Sequence, residues 1–185
     1  MKFLIDTSSL SILVRYYLPF DKSNSLKNFI KHKIETKELL LFDVVADESK
    51  YISKRIIANT LEFIKEKDFQ ISTKDLLPFP KFFNMLDNEF CNTVQKGKLT
   101  EIEFETEKTR YLNTADAKFI LYCLKEKSLL SIEKTVLITE ETTSENDNKA
   151  FKKLPQICTM KDIPHCNIAE FFKDYLKLRM SEYLE

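Results

Sequence analysis

The chain has 185 residues, with 29 Lys and Arg against 29 Asp and Glu, so its formal net charge at pH 7 is zero. It has 43% hydrophobic and 31% charged residues, which suits a folded globular protein rather than a disordered one. The chain has one glycine, Gly97, which excludes the P-loop and the glycine-rich dinucleotide fingerprint. Zero net charge also argues against nonspecific coating of duplex nucleic acid, because that mode usually needs a basic domain.

The four cysteines form no CxxC pair, which argues against a zinc knuckle, and we expect buried free thiols. No apolar run reaches the length of about 18 residues that a membrane span needs. Asp6 interrupts the stretch that a signal peptide would keep apolar. These features predict a cytoplasmic protein that does not enter a membrane.

Apolar runs without alternation predict strands buried on both faces, and apolar residues at helical spacing predict helices. In chain order the predicted elements are a strand Lys2–Ile5, a helix Ser9–Tyr17, a helix at about 25–34 capped by Ser23 or Ser25, a strand Leu39–Val45, a helix from Asp47 to about Lys67, a helix from about Lys81 to about Gly97, a helix from a Thr114 cap to about Lys127, a strand Thr135–Thr139, a short strand His165–Ile168 and a helix Glu170–Tyr183. Residues 98–112 fit either an edge strand or a helix.

Strands separated by helices imply parallel pairing through right-handed crossovers. We therefore predict an α/β fold, a three-layer α/β/α sandwich around a mostly parallel sheet of four or five strands. In such sheets, ligands bind beyond the carboxyl ends of the strands.

Four acidic residues are predicted to reach this edge of the sheet. Asp6 directly follows the first strand, and Glu141 lies just past the strand that ends at Thr139. Glu48 and Asp116 fall in the first turns of two predicted helices. The helix dipole alone favours an acid in a first turn, so each residue taken singly has a structural explanation. Together, however, the four carboxylates are expected to converge.

The phrases around these acids carry a family resemblance. They are Phe3-Leu4-Ile5-Asp6-Thr7-Ser8-Ser9-Leu10, Val44-Val45-Ala46-Asp47-Glu48, Thr114-Ala115-Asp116-Ala117 and Val136-Leu137-Ile138-Thr139-Glu140-Glu141. In this order they resemble the PIN-domain family of metal-dependent ribonucleases. The match is closest to a PIN-like subfamily with a similar Asp-Thr-Ser-Ser-Leu start, a following Arg15-Tyr16-Tyr17 and a Lys-Leu-Pro-x-Ile-Cys phrase, here residues 153–158. It implies one PIN-like domain over residues 1–185, with a helical insertion at about 69–113.

The resemblance implies hydrolysis of RNA phosphodiester bonds with Mg²⁺ or Mn²⁺, which prefer carboxylate oxygen ligands. The implied catalytic residues and metal ligands are Asp6, Glu48, Asp116 and Glu141. Most of the family has Asp at the fourth position, and Glu140 remains an alternative to Glu141 there. Ser8 and Thr139 are expected to hold the neighbouring acids or waters. For substrate contacts we name Arg15 and Lys50 for phosphate, and Tyr16 or Tyr17 for a base.

Many PIN proteins are toxins of toxin–antitoxin pairs and many are dimers, so the resemblance also implies an antitoxin partner and a homodimer. Two other functions stay open. One is an inactive PIN-like module that binds RNA or protein. The other is a phosphatase similar to haloacid dehalogenases, although that family needs a second Asp at the position that Ser8 occupies.

Overall fold

The computed structural model describes residues 1–129, 134–143 and 148–184, with the backbone alone at residues 53 and 54. The strands are β1 (Lys2–Ile5), β2 (Leu39–Phe42), β3 (Gln70–Ile71), β4 (Thr135–Ile138) and β5 (His165–Cys166). They form one all-parallel sheet in the order β3-β2-β1-β4-β5. This arrangement confirms the predicted fold class, a three-layer α/β/α protein with a parallel central sheet.

Short helices connect the strands. The α-helices of the described residues are α1 (Thr7–Ile12), α2 (Ser25–Glu35), α3 (Asp43–Glu48), α4 (Ile56–Thr60), α5 (Pro80–Met85), α6 (Thr93–Lys96), α7 (Glu101–Leu112), α8 (Ala115–Ser128), α9 (Leu154–Met160) and α10 (Ile168–Glu170). Single π-helical turns at Leu13–Tyr17, Leu86–Phe90 and Phe171–Tyr175 extend α1, α5 and α10.

The chain divides into two compact units. We call the first the sheet unit, which consists of Met1–Thr73, Ile132–Glu140 and Pro164–Glu185 and contains all five strands. We call the second the helical unit, which consists of Lys74–Ser131 and Glu141–Ile163.

In the sheet unit, β1 lies in the centre because it pairs with β2 on one side and β4 on the other. Every residue of β2 and β4 is buried, as expected for strands covered on both faces. The ring of Phe3 packs edge-on against Phe171 with the ring centroids 4.8 Å apart, which fixes the C-terminal segment on β1. Helix α2 buries the stripe Leu26, Ile30 and Ile34.

In the helical unit, aromatic side chains form much of the core. Phe82 and Phe90 are fully buried, and the Tyr111 ring stacks on Phe151 with a centroid distance of 4.5 Å. Phe104 of α7 packs on the same Phe151 ring. Helix α8 contributes buried apolar residues that include Phe119, so both long helices of this unit have a buried face.

Helix boundaries differ most from the sequence prediction between residues 39 and 67. The strand predicted to reach Val45 ends at Phe42, because Asp43 begins α3. The predicted helix from Asp47 to Lys67 is wrong: α4 is flanked by 3₁₀ turns at Ile52–Arg55 and Glu62–Lys65. Arg55 adopts a left-handed conformation with φ of 66°, which a continuous helix cannot contain.

Other predicted ends are corrected in the same way. Residues 98–112, which fitted strand or helix, contain α7, and Thr100 and Glu103 form a capping box at its start. The predicted helix Glu170–Tyr183 ends after the π-helical turn, and Lys177 there has φ of 54°. Neither Ser23 nor Ser25 caps α2; instead the Asp21 carboxylate accepts a hydrogen bond from Lys27 N at 2.8 Å. Helix α9 and strand β3 were not predicted.

Asp43 ties the end of β2 to the segment after β3. Its carboxylate accepts hydrogen bonds from Thr73 Oγ1 at 2.6 Å, Thr73 N at 3.0 Å and Val44 N at 2.8 Å. Burial raises the pKa of Asp43, but the hydrogen bonds from Thr73, Val44 and Ser72 outweigh it, so the pKa lies below its ordinary value. The ionised carboxylate therefore stabilises the sheet unit.

We expect Asp43→Ala to lower the free energy of unfolding at pH 7 by about 1–3 kcal/mol, because hydrogen bonds to a charged group are lost. A lowered pKa in the folded state gives stability that is present above the unfolded pKa of about 4 and lost as the pH falls through the folded pKa. In urea unfolding, the difference in free energy of unfolding between the wild type and Asp43→Ala should be smaller in mild acid than at pH 7. Asp47→Ala, at an exposed side chain, is the control. An equal loss at both pH values would contradict this account.

Candidate functional site

Asp6 is a nearly buried carboxylate at the carboxyl end of the central strand, with 5% of its surface exposed. Its side chain caps α1 by accepting from Ser9 N at 2.7 Å, and its backbone N–H donates to Ile138 O of β4. Burial raises the pKa of Asp6, against the lowering effect of hydrogen bonds from Thr139, Ser9 and Ser8. The site therefore holds a negative charge at an energetic cost.

The predicted partners Ser8 and Thr139 both contact Asp6. Ser8 Oγ lies 2.9 Å and 2.8 Å from the two carboxylate oxygens, and the Thr139 hydroxyl also hydrogen-bonds to this carboxylate. Ser8 Oγ in turn accepts from Glu140 N at 3.0 Å. The end of β4 thus lies beside the end of β1, at the place where the strand order reverses and where open α/β sheets bind ligands.

Glu48 also belongs to this edge of the sheet unit. Thr7 Oγ1, next in the chain to Asp6, donates to Glu48 Oε2 at 2.6 Å. The prediction placed Glu48 in the first turn of a helix, but it is the last residue of α3. Its position nevertheless follows from the end of β2, because the six-residue α3 starts directly after that strand.

The three predicted substrate contacts occupy surface positions of the sheet unit. Tyr16 is 62% exposed, and it lies with Arg15 in the π-helical turn after α1. Lys50 forms an ion pair with Asp47. Tyr17, named as the alternative to Tyr16, packs edge-on against Phe172 and contributes to packing.

In the helical unit, Asp116 lies in the first turn of α8, as predicted, and Thr114 caps that helix. Glu141 Oε2 accepts from Leu154 N at 3.3 Å, at the start of α9. Both carboxylates line one pocket with a volume of about 270 Å³. Its other lining residues are Glu107, Arg110, Tyr111, Thr114, Lys149, Ala150, Phe151, Lys152 and Lys153.

Glu140 and Glu141 therefore have different surroundings. Glu140 Oε1 accepts a hydrogen bond from Ile168 N, the first residue of α10, at 2.7 Å. Glu141 shares its pocket with Asp116. In the sheet unit, Glu48 thus bonds to Thr7, the neighbour of Asp6 in the chain, and in the helical unit Asp116 and Glu141 line the same pocket.

The donor sets suit a hard divalent cation. Among the described residues, no group of three or more His, Cys, Asp or Glu side chains could hold a metal ion. Mg²⁺ does not require such a cage, because it usually keeps several waters and binds one or two carboxylates together with substrate phosphates. The buried Asp6 carboxylate fits such an ion best. Its hydrogen-bond partners are the hydroxyls of Ser8 and Thr139 and the backbone N–H of Ser9.

Sequence reasoning did not name Tyr111, which lies in the pocket of two of these acids, or Asp43, which begins the helix that ends at Glu48. Tyr111 lines the pocket of Asp116 and Glu141, and Asp43 follows β2 as Asp6 follows β1. Asp43 carried a usable signal, an acid after an apolar run. Tyr111 carried none, since the pattern of residues 98–112 did not decide between strand and helix.

The cysteines are all buried and free, as predicted. Burial raises the pKa of Cys123 to about 12, so this thiol stays protonated near neutral pH. His32 and His165 are exposed. Over the described ranges, no helix is long and apolar enough to cross a membrane.

The family model described as Domain of unknown function (DUF4411) matches residues 3–177. No curated protein and no solved structure matches the chain.

We expect Asp6→Asn to raise the melting temperature of the metal-free protein at pH 7 by about 2–4 °C. Asn keeps an acceptor for Ser9 N and is an equally good helix cap, so the change removes mainly the desolvated charge. A raised pKa in the folded state means that stability falls as the pH rises from the unfolded pKa through the folded one. The gain should therefore be small near pH 4 and grow toward neutrality.

Thermal unfolding in the presence of a chelator measures this effect. Asp47→Asn serves as an exposed control and should change little. A lower melting temperature for Asp6→Asn at pH 7 would show that the charge itself stabilises the fold.

Proposed function

The chain belongs to the DUF4411 family, and we propose that it is a Mg²⁺- or Mn²⁺-dependent ribonuclease. In this proposal it hydrolyses phosphodiester bonds of single-stranded or structured RNA. The resemblance of four acidic phrases to PIN-domain ribonucleases motivates the proposal, and the position of the acids in the fold supports it.

The observation that carries the proposal is the buried carboxylate of Asp6. A carboxylate that is 5% exposed and whose pKa is raised by burial is costly without a compensating positive charge. It lies at the reversal of strand order, where α/β proteins bind their ligands. A divalent cation with a bound phosphate compensates such a charge and uses such a place.

In each unit, we propose that the acids hold a divalent ion and orient water. Asp6 and Glu48 provide oxygen ligands in the sheet unit, and Asp116 and Glu141 provide them in the helical unit. When bound, Mg²⁺ or Mn²⁺ lowers the pKa of a coordinated water and neutralises charge on the leaving oxygen. Ser8 and Thr139 hold the Asp6 carboxylate in one orientation through their hydroxyls. Thr7 does the same for Glu48.

Surface residues of the sheet unit are proposed to contact the RNA. Arg15 is suited to a phosphate, because its guanidinium matches phosphate geometry. The exposed ring of Tyr16 is suited to stacking on an unpaired base. Lys50 is suited to a second phosphate, where it would exchange its ion pair with Asp47 for the backbone of the substrate.

We further propose, by analogy with PIN proteins, that the protein is a cytoplasmic toxin held inactive by an antitoxin partner and that it forms a homodimer. The rival function is an inactive PIN-like module that binds RNA or protein. It is favoured by the finding that no three metal-binding side chains cluster among the described residues. Activity measurements separate the two.

We expect the wild type to cleave single-stranded RNA with Mn²⁺ or Mg²⁺ and to stop when the ion is chelated. Asp6→Asn, Glu48→Gln, Asp116→Asn and Glu141→Gln should each lower kcat by more than about 100-fold, the upper end of the effect of losing an outer-shell partner. Glu140→Gln is the matched control and should keep most activity, because Glu140 caps a backbone N–H. Initial rates of RNA cleavage at saturating substrate give kcat, and sequencing of the cut ends gives the cleavage positions.

Three results would decide against parts of this assignment. Full activity of Asp6→Asn would exclude the proposed role of that acid. A greater loss in Glu140→Gln than in Glu141→Gln would make Glu140 the fourth acid. RNA binding without cleavage at any metal concentration would favour the inactive module.

The toxin proposal predicts that expression of the wild type alone slows growth of a bacterial host. Asp116→Ala, which removes a proposed metal ligand, should slow growth much less at an equal protein level. Growth curves with immunoblots for protein level make the comparison. Identical growth of the two strains would contradict a toxic ribonuclease activity.

A further inference from the structure

The hydroxyl of Tyr111 is a buried polar group in need of a partner. In the described part of the chain, Tyr111 Oη is inaccessible to solvent and has no hydrogen-bond partner. Tyr111 also lines the pocket that holds Asp116 and Glu141. A buried hydroxyl without a hydrogen bond is unfavourable, so this group needs an explanation from the site around it.

Local structure fixes Tyr111 close to Asp116. Tyr111 O accepts hydrogen bonds from both Thr114 N at 2.9 Å and Thr114 Oγ1 at 2.7 Å. Thr114 Oγ1 accepts from Ala117 N and so caps the helix that has Asp116 in its first turn. The Tyr111 ring stacks on Phe151 at an interplanar angle of 25°. Turn and stacking together hold the phenol against movement away from the pocket.

The surroundings of the phenol keep it protonated. Burial, then electrostatic interactions with Asp116, Cys158 and Glu141, raise the pKa of Tyr111 well above its ordinary value. Burial also raises the pKa of the Cys158 thiol, which leaves the two carboxylates as the nearby anions. A neutral phenol that lines the same pocket as two carboxylates is a hydrogen-bond donor in the company of strong acceptors.

Of the two carboxylates, Asp116 is the better acceptor for this hydroxyl. Its charge acts on Tyr111 more strongly than that of Glu141. It is also tied to Tyr111 through the Thr114 turn, because Thr114 bonds to Tyr111 O and caps the helix that has Asp116 in its first turn. A carboxylate that binds a cation through one oxygen presents the other oxygen to a neighbouring donor.

We propose that Tyr111 is a positioning residue whose hydroxyl donates a hydrogen bond to the Asp116 carboxylate when that carboxylate binds a divalent cation. The inference rests on the proposed function, since it assumes that Asp116 is a metal ligand. It adds a residue that neither the acidic phrases nor the family match identifies. In the metal-free protein the hydroxyl makes no hydrogen bond. The hydrogen bond to Asp116 forms when Asp116 binds the ion.

The test compares Mn²⁺ binding and metal-free stability in the wild type, Tyr111→Phe and Asp116→Asn. Tyr111→Phe keeps the ring stacking on Phe151 and removes only the hydroxyl. We expect it to weaken Mn²⁺ binding by about 10–100-fold in calorimetry. Its melting temperature without metal should equal or exceed that of the wild type, because an unpartnered hydroxyl is removed. Tyr175→Phe is the control, since its partly exposed ring packs on Phe3 in the sheet unit.

A second measurement on the unaltered chain does not depend on how the variants fold. The sequence has no Trp, so tyrosine absorption is not masked. Addition of Mn²⁺ should perturb the tyrosine absorption of the wild type and of Tyr175→Phe, and should leave that of Tyr111→Phe and Asp116→Asn unchanged.

The outcomes separate the inference from the proposed function. Equal Mn²⁺ affinity of the wild type and Tyr111→Phe would overturn the role of Tyr111 and leave the metal site standing. A lower metal-free melting temperature of Tyr111→Phe would show a structural hydrogen bond and overturn it too. Absence of Mn²⁺ binding by the wild type would overturn both the metal-dependent function and this inference.

Discussion

The hydrogen bonds around the Asp6 carboxylate connect the parts of the sheet unit on which the candidate site depends. The carboxylate joins the end of β1 to the start of α1 through Ser9 N and Ser8, and it joins β1 to the residue after β4 through Thr139. The Asp6 N–H adds a bond to Ile138 O. The Asp6 side chain thus sets the geometry at the place where the strand order reverses, while burial makes its charge unfavourable. The same group therefore organises the fold and favours a cation.

The two carboxylate pairs differ in how the chain holds them. In the sheet unit, hydroxyl groups of the Thr7-Ser8 phrase orient Asp6 and Glu48. In the helical unit, Asp116 and Glu141 line a pocket with an aromatic wall and several cationic side chains. Burial is the main influence on the Asp6 carboxylate, whereas acidic and basic side chains together line the second pocket.

Strong local patterns allowed much of the fold to be predicted. The apolar runs of β1, β2 and β4 identified the sheet, and Thr114 identified the start of α8, because burial and capping leave marks in the sequence. The breaks around α4 left no such mark, since residues 47–67 contain neither Gly nor Pro and keep helical spacing. For the site, an acid after a strand revealed Asp6. Tyr111 could not be found in this way, because its surroundings come from residues distant in sequence.

Among the described residues, the left-handed backbone conformation occurs at residues that carry a side chain and not at the glycine. Asn24, Lys37, Arg55, Asp162 and Lys177 have positive φ, whereas Gly97 has φ of −65°. Side chains with a Cβ are strained in this region, so each such turn carries a local cost that glycine would avoid. The denatured ensemble offsets part of that cost. A chain with one glycine has fewer conformations available before it folds, and it therefore loses less backbone entropy when it does.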